Sequence, residues 1–207
     1  MNQKNSFGLD NCFKDLENPI ELFGEWFQEA KKTEINDPNA LALATADKKE
    51  IPSVRMVLLK NYNDNGFVFY TNLTSKKGKE INNNKKASMC FHWKSIRRQV
   101  RILGKLEKVS DNEANSYFKS RPYKNKIGAW ASTQSKILKS RDEFLNKIKD
   151  YEKKYPNNDA VPRPEYWSGW RLVPTEIEFW LDGEGRIHER LNYKKSNDKW
   201  IKELLYP

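Results

Sequence analysis

The sequence predicts a mainly β protein in which helices are packed around an antiparallel barrel. Short apolar runs follow one another closely and are separated by turn signals, of which Asn63-Asp64-Asn65-Gly66 is the strongest. Helical patterns fall between the fifth and sixth predicted strands and not after each strand. That distribution argues against a doubly wound parallel sheet and favours antiparallel pairing of strands that follow one another in sequence.

The chain begins with an arm and a helix. Residues 1–17 show no clear period, so we expect a mobile arm, followed by a single domain over residues 18–207. Asn18-Pro19 fits a helix cap with proline at the first helical position. Apolar residues then recur on one helical face until Asp37-Pro38, where the helix should end.

The next part of the chain is rich in strands. Five are predicted, at residues 40–46, 54–59, 67–71, 87–93 and 99–106. Between the third and fourth, Ser75 can cap a short basic helix from residue 76 to about residue 83. In the fifth strand, apolar and polar side chains alternate from Gln99 onward, which is typical of a half-buried strand.

The second half is predicted to contain two capped helices and then more strands. Ser110 with Glu113 and Ser140 with Glu143 fit the capping-box pattern. Residues 156–164 contain too much Pro, Asn and Asp to continue a helix and should form a loop. Further strands are predicted at residues 170–180, 187–193 and 200–205.

The charge of the chain limits the choice of partners. The 38 basic and 28 acidic residues give a formal net charge of +10, which fits a nucleic acid, an anionic membrane surface or small phosphates. A lysine-rich solvated surface, as at residues 82–86, explains most of these charges. No apolar run approaches the roughly 20 residues of a membrane span, and no secretory signal is visible. We therefore expect a cytoplasmic protein that binds neither membrane nor nucleic acid.

Several common chemical motifs are missing. Cys12 and Cys90 are isolated, and His92 and His188 lack metal-ligand spacing, so no metal site is expected. The sequence has no glycine-rich phosphate loop and no nucleophile elbow. If the protein is an enzyme, a cofactor should carry the difficult chemistry.

Cations at strand and helix ends are candidate anion sites. Arg55 and Lys60 bracket an apolar strand, and Lys76 and Lys77 begin the short helix after Tyr70-Thr71. Lysines at a helix N-terminus oppose the helix dipole, and a bound phosphate would remove the conflict. Two solvated lysines explain the pattern equally well at this stage.

Three further residues, Tyr117, Arg121 and Gln99, could contact parts of a ligand. Tyr117 and Arg121 lie four residues apart, on one face of a predicted helix, and could clamp a phosphate; an Arg packed along a Tyr ring is the alternative. Gln99 offers donors and an acceptor to the edge of a heterocycle, although a surface strand residue is the commoner case.

The segment from residue 186 to residue 190 carries the densest pattern. On a strand, Arg186, His188 and Arg190 would share one face, with Ile187 and Glu189 on the other. Three such side chains repel one another unless they converge on an anion or an electron-rich ring. The alternative is a solvated face with salt bridges to Glu178 or Glu189, and we favour the functional interpretation.

Seven segments, in order, resemble the pyridoxamine 5′-phosphate oxidase family. They are Arg55-Met-Val-Leu-Leu-Lys60, Phe69-Tyr-Thr-Asn-Leu73, Arg98-Gln-Val100, Ser120-Arg-Pro122, Ile127-Gly-Ala-Trp130, Gln134-Ser135, and Ile177-Glu-Phe-Trp180 with Arg186-Ile-His-Glu-Arg190. The resemblance runs from about residue 19 to the C-terminal Leu205-Tyr-Pro207. It implies a split β-barrel that binds FMN at the interface of a homodimer.

The resemblance also implies roles for individual residues. The flavin would be held by Arg55, Met56, Val57, Leu58, Leu59, Lys60, Tyr70, Thr71, Lys76, Lys77, Gln99, Gln134, Ser135, Trp180 and Arg190, some of them from the partner subunit. The substrate would be held by Lys60, Tyr117, Arg121, Asn125, Arg186, Ile187 and His188. Of these, Arg186 and His188 would be the catalytic residues, placed over the substrate's pyridine ring.

The implied reaction is FMN-dependent oxidation of pyridoxamine 5′-phosphate and pyridoxine 5′-phosphate to pyridoxal 5′-phosphate, with molecular oxygen reduced to hydrogen peroxide. Two alternatives are a related split-barrel flavin oxidase with another substrate, as in phenazine synthesis, and a non-enzymatic FMN-binding protein. The chain departs from the family at four positions. Lys76 stands where the family commonly has Arg, and Asn125 stands where it commonly has Ser. Leu181 stands where Gln, His or Gly is usual, and Glu189 replaces the more frequent Asp.

Overall fold

The computed structural model describes residues 7–207. Within them are five α-helices, α1 (Pro19–Thr33), α2 (Lys76–Asn83), α3 (Asp111–Ser120), α4 (Tyr123–Ala131) and α5 (Arg141–Lys154). The strands are β1 (Ala40–Ala46), β2 (Pro52–Leu58), β3 (Asn61–Asn63), β4 (Gly66–Asn72), β5 (Lys86–Trp93), β6 (Arg98–Lys108), β7 (Trp167–Leu181), β8 (Glu189–Ser196) and β9 (Lys199–Leu204). Each predicted strand has a counterpart, and β3 is an additional short one.

All strand pairs are antiparallel, and the sheet forks at β7. The path of the sheet is β2-β1-β5-β6-β7-β4-β3, while β8 pairs with β7 and β9 pairs with β8. The first part of β7, from Trp167 to Leu172, pairs with β4, and its last part, from Glu176 to Leu181, pairs with β8. One long strand therefore belongs to two branches of a curled half-barrel. The predicted antiparallel split barrel is confirmed.

A glycine permits the change of branch. The register between β6 and β7 shifts between Leu103 and Gly104. A Cβ atom at Gly104 would lie 2.1 Å from the Val173 carbonyl oxygen, so the two strands approach more closely there than any other residue would allow.

The barrel core is strongly aromatic and is closed by α1. Asn18 caps this helix by accepting a hydrogen bond from the Ile20 amide, and Pro19 is its first residue, as the sequence predicts. The ring of Phe23 meets the edges of Phe67 and Phe91 at centroid distances of 4.9 and 5.1 Å. Burying each such ring stabilises the fold by about 2 kcal/mol.

The described part of the predicted arm packs against this core. Phe13 is fully buried and contacts the Trp26 ring at 5.2 Å. Tyr193 donates its hydroxyl to the Leu16 carbonyl, and Glu189 accepts the amide of Asp10. Residues 10–16 therefore pack on the same core as the rest of the chain, on both sides of the boundary expected at residue 18. Residues 1–6 lie outside the described residues, and the mobility of the arm stays a prediction.

A second cluster joins the middle helices to the start of β7. It consists of Phe118, Ile127, Val161 and Trp167. Ser110 and Ser140 accept hydrogen bonds from the amides of Glu113 and Glu143, which confirms both predicted caps. None of the helices within residues 7–207 is long and apolar enough to cross a membrane.

Candidate functional site

A cavity of about 830 Å³ lies between the sheet and helices α3 and α4. The site residues expected from the sequence that line it are Met56, Val57, Leu58, Lys60, Tyr70, Thr71, Lys77, Tyr117, Arg121, Asn125 and Gln134. Its volume is within the range of small-molecule sites. The structure therefore brings together many of the expected residues from β2, β4, α2, α3 and α4.

Lys77 points into this cavity from the first turn of α2. Its ammonium group donates to the Thr71 hydroxyl at 3.1 Å and to the Gln134 side-chain oxygen at 2.7 Å. Burial, and then the nearby charge of Arg55, lower the pKa of Lys77. Lys76 differs, since its side chain is 70% exposed and lies 3.9 Å from Glu80. Of the two lysines at this helix end, only Lys77 is half-buried and lines the cavity, as a ligand of an anion there would.

The guanidinium of Arg55 is already hydrogen-bonded to groups of the protein. Its Nη1 atom donates to the Leu43 carbonyl at 3.1 Å and also to Thr45. Its Nη2 atom donates to Ser53 and, at 3.0 Å, to Glu80. Both terminal nitrogens thus bind protein acceptors, and Arg55 does not line the cavity. Leu59, another expected flavin contact, has its side chain in the barrel core.

Glu80 is the buried counter-charge in this network. Burial by itself would raise the pKa of its carboxyl group, but hydrogen bonds from Thr45 and Ser53 and the charge of Arg55 outweigh burial and lower it. The carboxylate links α2 to β1 and β2 through these partners. It therefore fixes the position of the helix that carries Lys77.

Arg121 occupies the connection between α3 and α4. The sequence interpretation placed Tyr117 and Arg121 on one helix, but α3 ends at Ser120 and Arg121 has extended backbone angles. The reason is Pro122, since a residue before proline is disfavoured in the helical region. Both side chains still line the cavity. The alternative, in which the Arg side chain packs along the Tyr ring, is not what the structure shows, because the Arg121 guanidinium lies over Trp167 and Phe118.

No residue between 7 and 207 provides Arg121 with an acidic partner. Its Nη1 atom is buried and has no hydrogen-bond partner among the residues that the structure describes. Burial lowers the pKa of the guanidinium, and only the smaller effect of Tyr117 opposes it. An arginine remains charged under these conditions. A buried, charged donor without an acceptor is the arrangement expected of a site for an anion.

Three aromatic rings form the wall beside Arg121. Tyr70 stacks on Tyr117 with 4.0 Å between ring centroids and on Trp167 with 5.2 Å. Burial, and then the charge of Glu113, raise the pKa of Tyr70 to about 12, so its phenol stays protonated and can donate. Trp167 was missed at the sequence level because the strand was expected to begin three residues later, and an isolated tryptophan carries no spacing signal.

A second group of expected residues lies outside the cavity, on β6, β7 and β8. Gln99 pairs across the strands with Trp180, and Trp180 pairs with Arg190. Arg190 donates through Nε and Nη2 to the Glu178 carboxylate at 2.9 and 3.0 Å, and Arg101 also binds Glu178. The salt-bridge alternative considered for Arg190 is thus present.

The expected alternation of Arg186, His188 and Arg190 along a strand is wrong. Residues Glu184–Arg186 form a 3₁₀ turn, and β8 begins only at Glu189. Gly183 allows this turn, because a Cβ atom there would lie 1.9 Å from the Ile187 carbonyl oxygen. Arg186 adopts a left-handed φ of 65°, which is uncommon for a residue with a side chain.

His188 has defined neighbours in this turn. Its Nδ1 lies 3.1 Å from the Gly183 amide nitrogen and 3.2 Å from a carboxylate oxygen of Asp182. The imidazole lies 4.6 Å from the Trp180 ring. Neither His188 nor Arg186 lines the cavity, and the same holds for Ile187, which is mostly exposed, and for Ser135.

The forked barrel defines a split-barrel protein, and its cavity is lined by cationic side chains. The family model described as "Pyridoxamine 5′-phosphate oxidase" matches residues 27–155, and "Pyridoxine 5′-phosphate oxidase C-terminal dimerisation region" matches residues 167–207. The chain belongs to the pyridoxamine 5′-phosphate oxidase family, a family of oxidoreductases.

Curated relatives resemble the chain over its length. The chain is 64% identical over 208 residues to a pyridoxine/pyridoxamine 5′-phosphate oxidase of Pelagibacter ubique, with 100% of each chain covered. It is 53% identical to the protein of that name from Brucella ovis, over 94% of each chain.

Solved structures share the fold. PhzG from Burkholderia lata, solved with tetrahydrophenazine-1-carboxylic acid, has a TM-score of 0.89 and 29% identity, covering 96% of this chain and 97% of its own. An FMN-binding protein from Nostoc punctiforme has a TM-score of 0.74 at 17% identity, covering 93% of this chain and 99% of its own, and this shows the fold alone.

Proposed function

We propose that this chain binds FMN and oxidises pyridoxamine 5′-phosphate and pyridoxine 5′-phosphate to pyridoxal 5′-phosphate, with molecular oxygen reduced to hydrogen peroxide. The observation that carries the proposal is that Arg121 lines the cavity, while its Nη1 atom has no hydrogen-bond partner among the described residues. Such a group needs an anionic ligand, and a phosphate monoester supplies one. The 64% identity to a curated oxidase of that name supports the choice of substrates.

Two phosphates are required by this reaction, and the cavity offers two sets of ligands. Lys77 and Thr71 would hold the phosphate of the cofactor at the start of α2, where helix amides also favour an anion. Arg121 would hold the phosphate of the substrate together with Tyr117 and Lys60. These residues fit a flavin nucleotide beside a smaller phosphorylated ring.

The bound flavin would accept a hydride from the substrate carbon that bears the amine or alcohol. The protein's own task is to fix the substrate so that this carbon faces the flavin. Arg121 and Tyr117 would anchor the phosphate end. Arg186 and His188 would cover the opposite face of the pyridine ring.

A homodimer would bring Arg186 and His188 to the cavity. Neither residue lines the cavity of its own subunit. The stretch matched by the dimerisation-region model, residues 167–207, contains both of them together with Trp180 and Arg190. We propose that this group from one subunit completes the cavity of the other, with the FMN between them. The exposed apolar face of β2, where Val54 is 69% exposed, is a suitable contact surface.

The similarity to PhzG supports a second candidate, a split-barrel oxidase that acts on a phenazine precursor. Such an enzyme would keep the flavin residues but has no need for a phosphate clamp. The chain retains Lys60, Tyr117 and Arg121 in its cavity, and Arg186 and His188 in its sequence. We therefore rank this candidate second, and a non-enzymatic flavin protein third.

Oxygen consumption by the purified, FMN-loaded protein tests the proposal. Pyridoxamine 5′-phosphate and pyridoxine 5′-phosphate should each drive oxygen uptake, with formation of pyridoxal 5′-phosphate and peroxide. The unphosphorylated vitamers should be poor substrates, because they leave Arg121 without its anion. Uptake with tetrahydrophenazine-1-carboxylic acid alone would favour the second candidate. A colourless protein that cannot be reconstituted with FMN would refute all flavin-based functions.

A further inference from the structure

We infer that Trp167 is a positioning residue, whose indole holds the Arg121 guanidinium at the cavity wall so that its donors stay available to a phosphate. The inference rests on the proposed function in one respect, that Arg121 binds the phosphate of the substrate. No motif in the sequence indicates Trp167. Its contact with Arg121 explains how this guanidinium is held in place without an acidic side chain beside it.

The backbone of Trp167 is clamped on both sides. Its amide donates to the Pro164 carbonyl at 3.0 Å, and its carbonyl accepts from Nη1 of Arg163 at 2.7 Å. The same Arg163 binds Asp111 at 2.8 Å and Asn115 at 2.6 Å on α3. The start of β7 is thereby tied to the helix that precedes Arg121.

The indole ring is held as firmly as its backbone. Trp167 is only 6% exposed. Its ring stacks on Tyr70 at 5.2 Å with an interplanar angle of 6°, and Phe118 meets it edge-on at 5.0 Å. A ring packed in this way presents a fixed surface to whatever lies against it.

Arg121 lies against that surface. Its guanidinium carbon is 4.8 Å from the Trp167 ring centroid and 5.6 Å from that of Phe118. At this distance the indole attracts the cation through its ring electrons and occupies none of the N–H donors. The Nη1 atom remains buried without a partner in the described structure.

Arg55 and Arg190, two other arginines of the proposed site, are held differently. Arg55 binds the buried carboxylate of Glu80, and Arg190 binds that of Glu178. An acidic partner orients a guanidinium but cancels its charge and uses its donors. The indole orients Arg121 while leaving the charge uncompensated, which is what a cation needs if it is to bind a free phosphorylated substrate.

A double-mutant cycle tests the inference. In FMN-loaded protein, Trp167→Leu should raise KM for pyridoxamine 5′-phosphate about tenfold, with little change in kcat, because the anchoring of the phosphate is loosened. Arg121→Ala should raise KM further. The double variant should match Arg121→Ala alone, since Trp167 acts only through Arg121. Trp167→Phe should restore most of the affinity, because phenylalanine keeps an aromatic face.

A direct binding measurement accompanies the kinetics. The dissociation constant of pyridoxal 5′-phosphate, from equilibrium dialysis against each FMN-loaded variant, should follow the same order. Trp130→Leu is the matched control, because Trp130 packs on Tyr151 and Tyr155 and does not line the cavity. It should leave both KM and the dissociation constant unchanged.

The possible outcomes separate the inference from the function. Additive losses in the cycle, or a loss in kcat alone, would overturn the role of Trp167 while the oxidase function stands. If Trp167→Leu does not fold, a Trp167→Phe variant with less affinity than the wild type and no additivity with Arg121→Ala still supports the inference. The wild-type protein could bind pyridoxal 5′-phosphate through Arg121 and yet oxidise no B6 vitamer. That result would refute the proposed function, but the double-mutant cycle could still be measured through the dissociation constants.

Discussion

Glu178 and Arg190 form a two-pronged ion pair across neighbouring strands of the barrel. Nε and Nη2 of Arg190 donate to the two carboxylate oxygens at 2.9 and 3.0 Å, and the carboxylate is almost fully buried. The third guanidinium nitrogen donates to the Tyr206 carbonyl at 2.8 Å. One side chain therefore joins β7, β8 and the C-terminal residues, next to Trp180.

Glu178→Gln should lower the free energy of unfolding at neutral pH. It should also make that free energy depend less on pH in the acidic range. Burial would raise the pKa of Glu178, but the hydrogen bonds from Arg190 and Arg101 outweigh burial and lower it below the ordinary 4.5. A carboxyl group with a depressed folded-state pKa stabilises the protein above its unfolded-state pKa. That contribution is lost as the pH falls through the folded-state value.

Thermal unfolding from pH 7 to pH 3 measures this effect. The variant should lose about 3 kcal/mol at pH 7, because two arginines lose their charged partner. The difference between variant and wild type should shrink below pH 4.5. If the difference in free energy of unfolding between variant and wild type stayed constant from pH 7 to pH 3, the lowered pKa of Glu178 would be contradicted.

Lys77→Ala should weaken FMN binding by about 10- to 100-fold, the cost of a charge-assisted hydrogen bond. Lys76→Ala is the matched control, since the neighbouring lysine is 70% exposed and lies beside Glu80. It should change affinity by less than about threefold. Flavin fluorescence during titration of the apoprotein gives both constants. Equal effects of the two substitutions would contradict the assignment of Lys77, and not Lys76, as the ligand of the FMN phosphate.

Local signals in the sequence predicted the elements well. The caps at Ser110 and Ser140 and the alternation in β6 depend on residues a few positions apart, so they can be recognised without the fold. The turn at residues 183–186 broke the expected alternation because Gly183 permits a backbone contact that alternation ignores. Arg121 left its helix because Pro122 outweighs the spacing to Tyr117.

The partners of the cations could not be predicted, because they are distant in sequence. Glu80 lies 25 residues from Arg55 and 35 residues from Thr45, and only the packing of α2 on β1 and β2 brings them together. Trp167 likewise meets Tyr70 and Arg121 only in the folded chain. The sequence therefore indicates which residues are charged, and the fold decides which of those charges remain free for a ligand.

Gly104→Ala should destabilise the forked sheet by about 2 kcal/mol, because its Cβ would lie 2.1 Å from the Val173 carbonyl oxygen. Gly128→Ala is a control of the opposite sign. A Cβ there meets nothing within 4 Å, and alanine favours the helix α4 by about 1 kcal/mol. Urea denaturation should show opposite shifts of the midpoint. A neutral Gly104→Ala would mean that the β6–β7 contact can relax.

Arg186→Ala should cut kcat/KM for pyridoxamine 5′-phosphate by about a hundredfold while the protein stays yellow. The expected role of Arg186 is to fix the substrate ring, not to retain the flavin. Glu184→Ala, in the same turn, is the control and should keep normal turnover, because its contact to Ile187 runs through the backbone carbonyl. Normal turnover of Arg186→Ala would refute the assigned role.

A hybrid dimer tests whether each site is built from two subunits. One subunit carries Arg121→Ala and the other Arg186→Ala, and different affinity tags allow the hybrid to be isolated. Arg121 lines the cavity, whereas Arg186 lies outside the cavity of its own subunit. In a two-fold dimer with shared sites, one site of the hybrid then receives both substitutions and the other receives none. The hybrid should therefore recover about half of the wild-type kcat/KM, although kcat/KM is low for each variant alone. If both residues served one site within a single chain, both sites of the hybrid would stay damaged and no turnover would return.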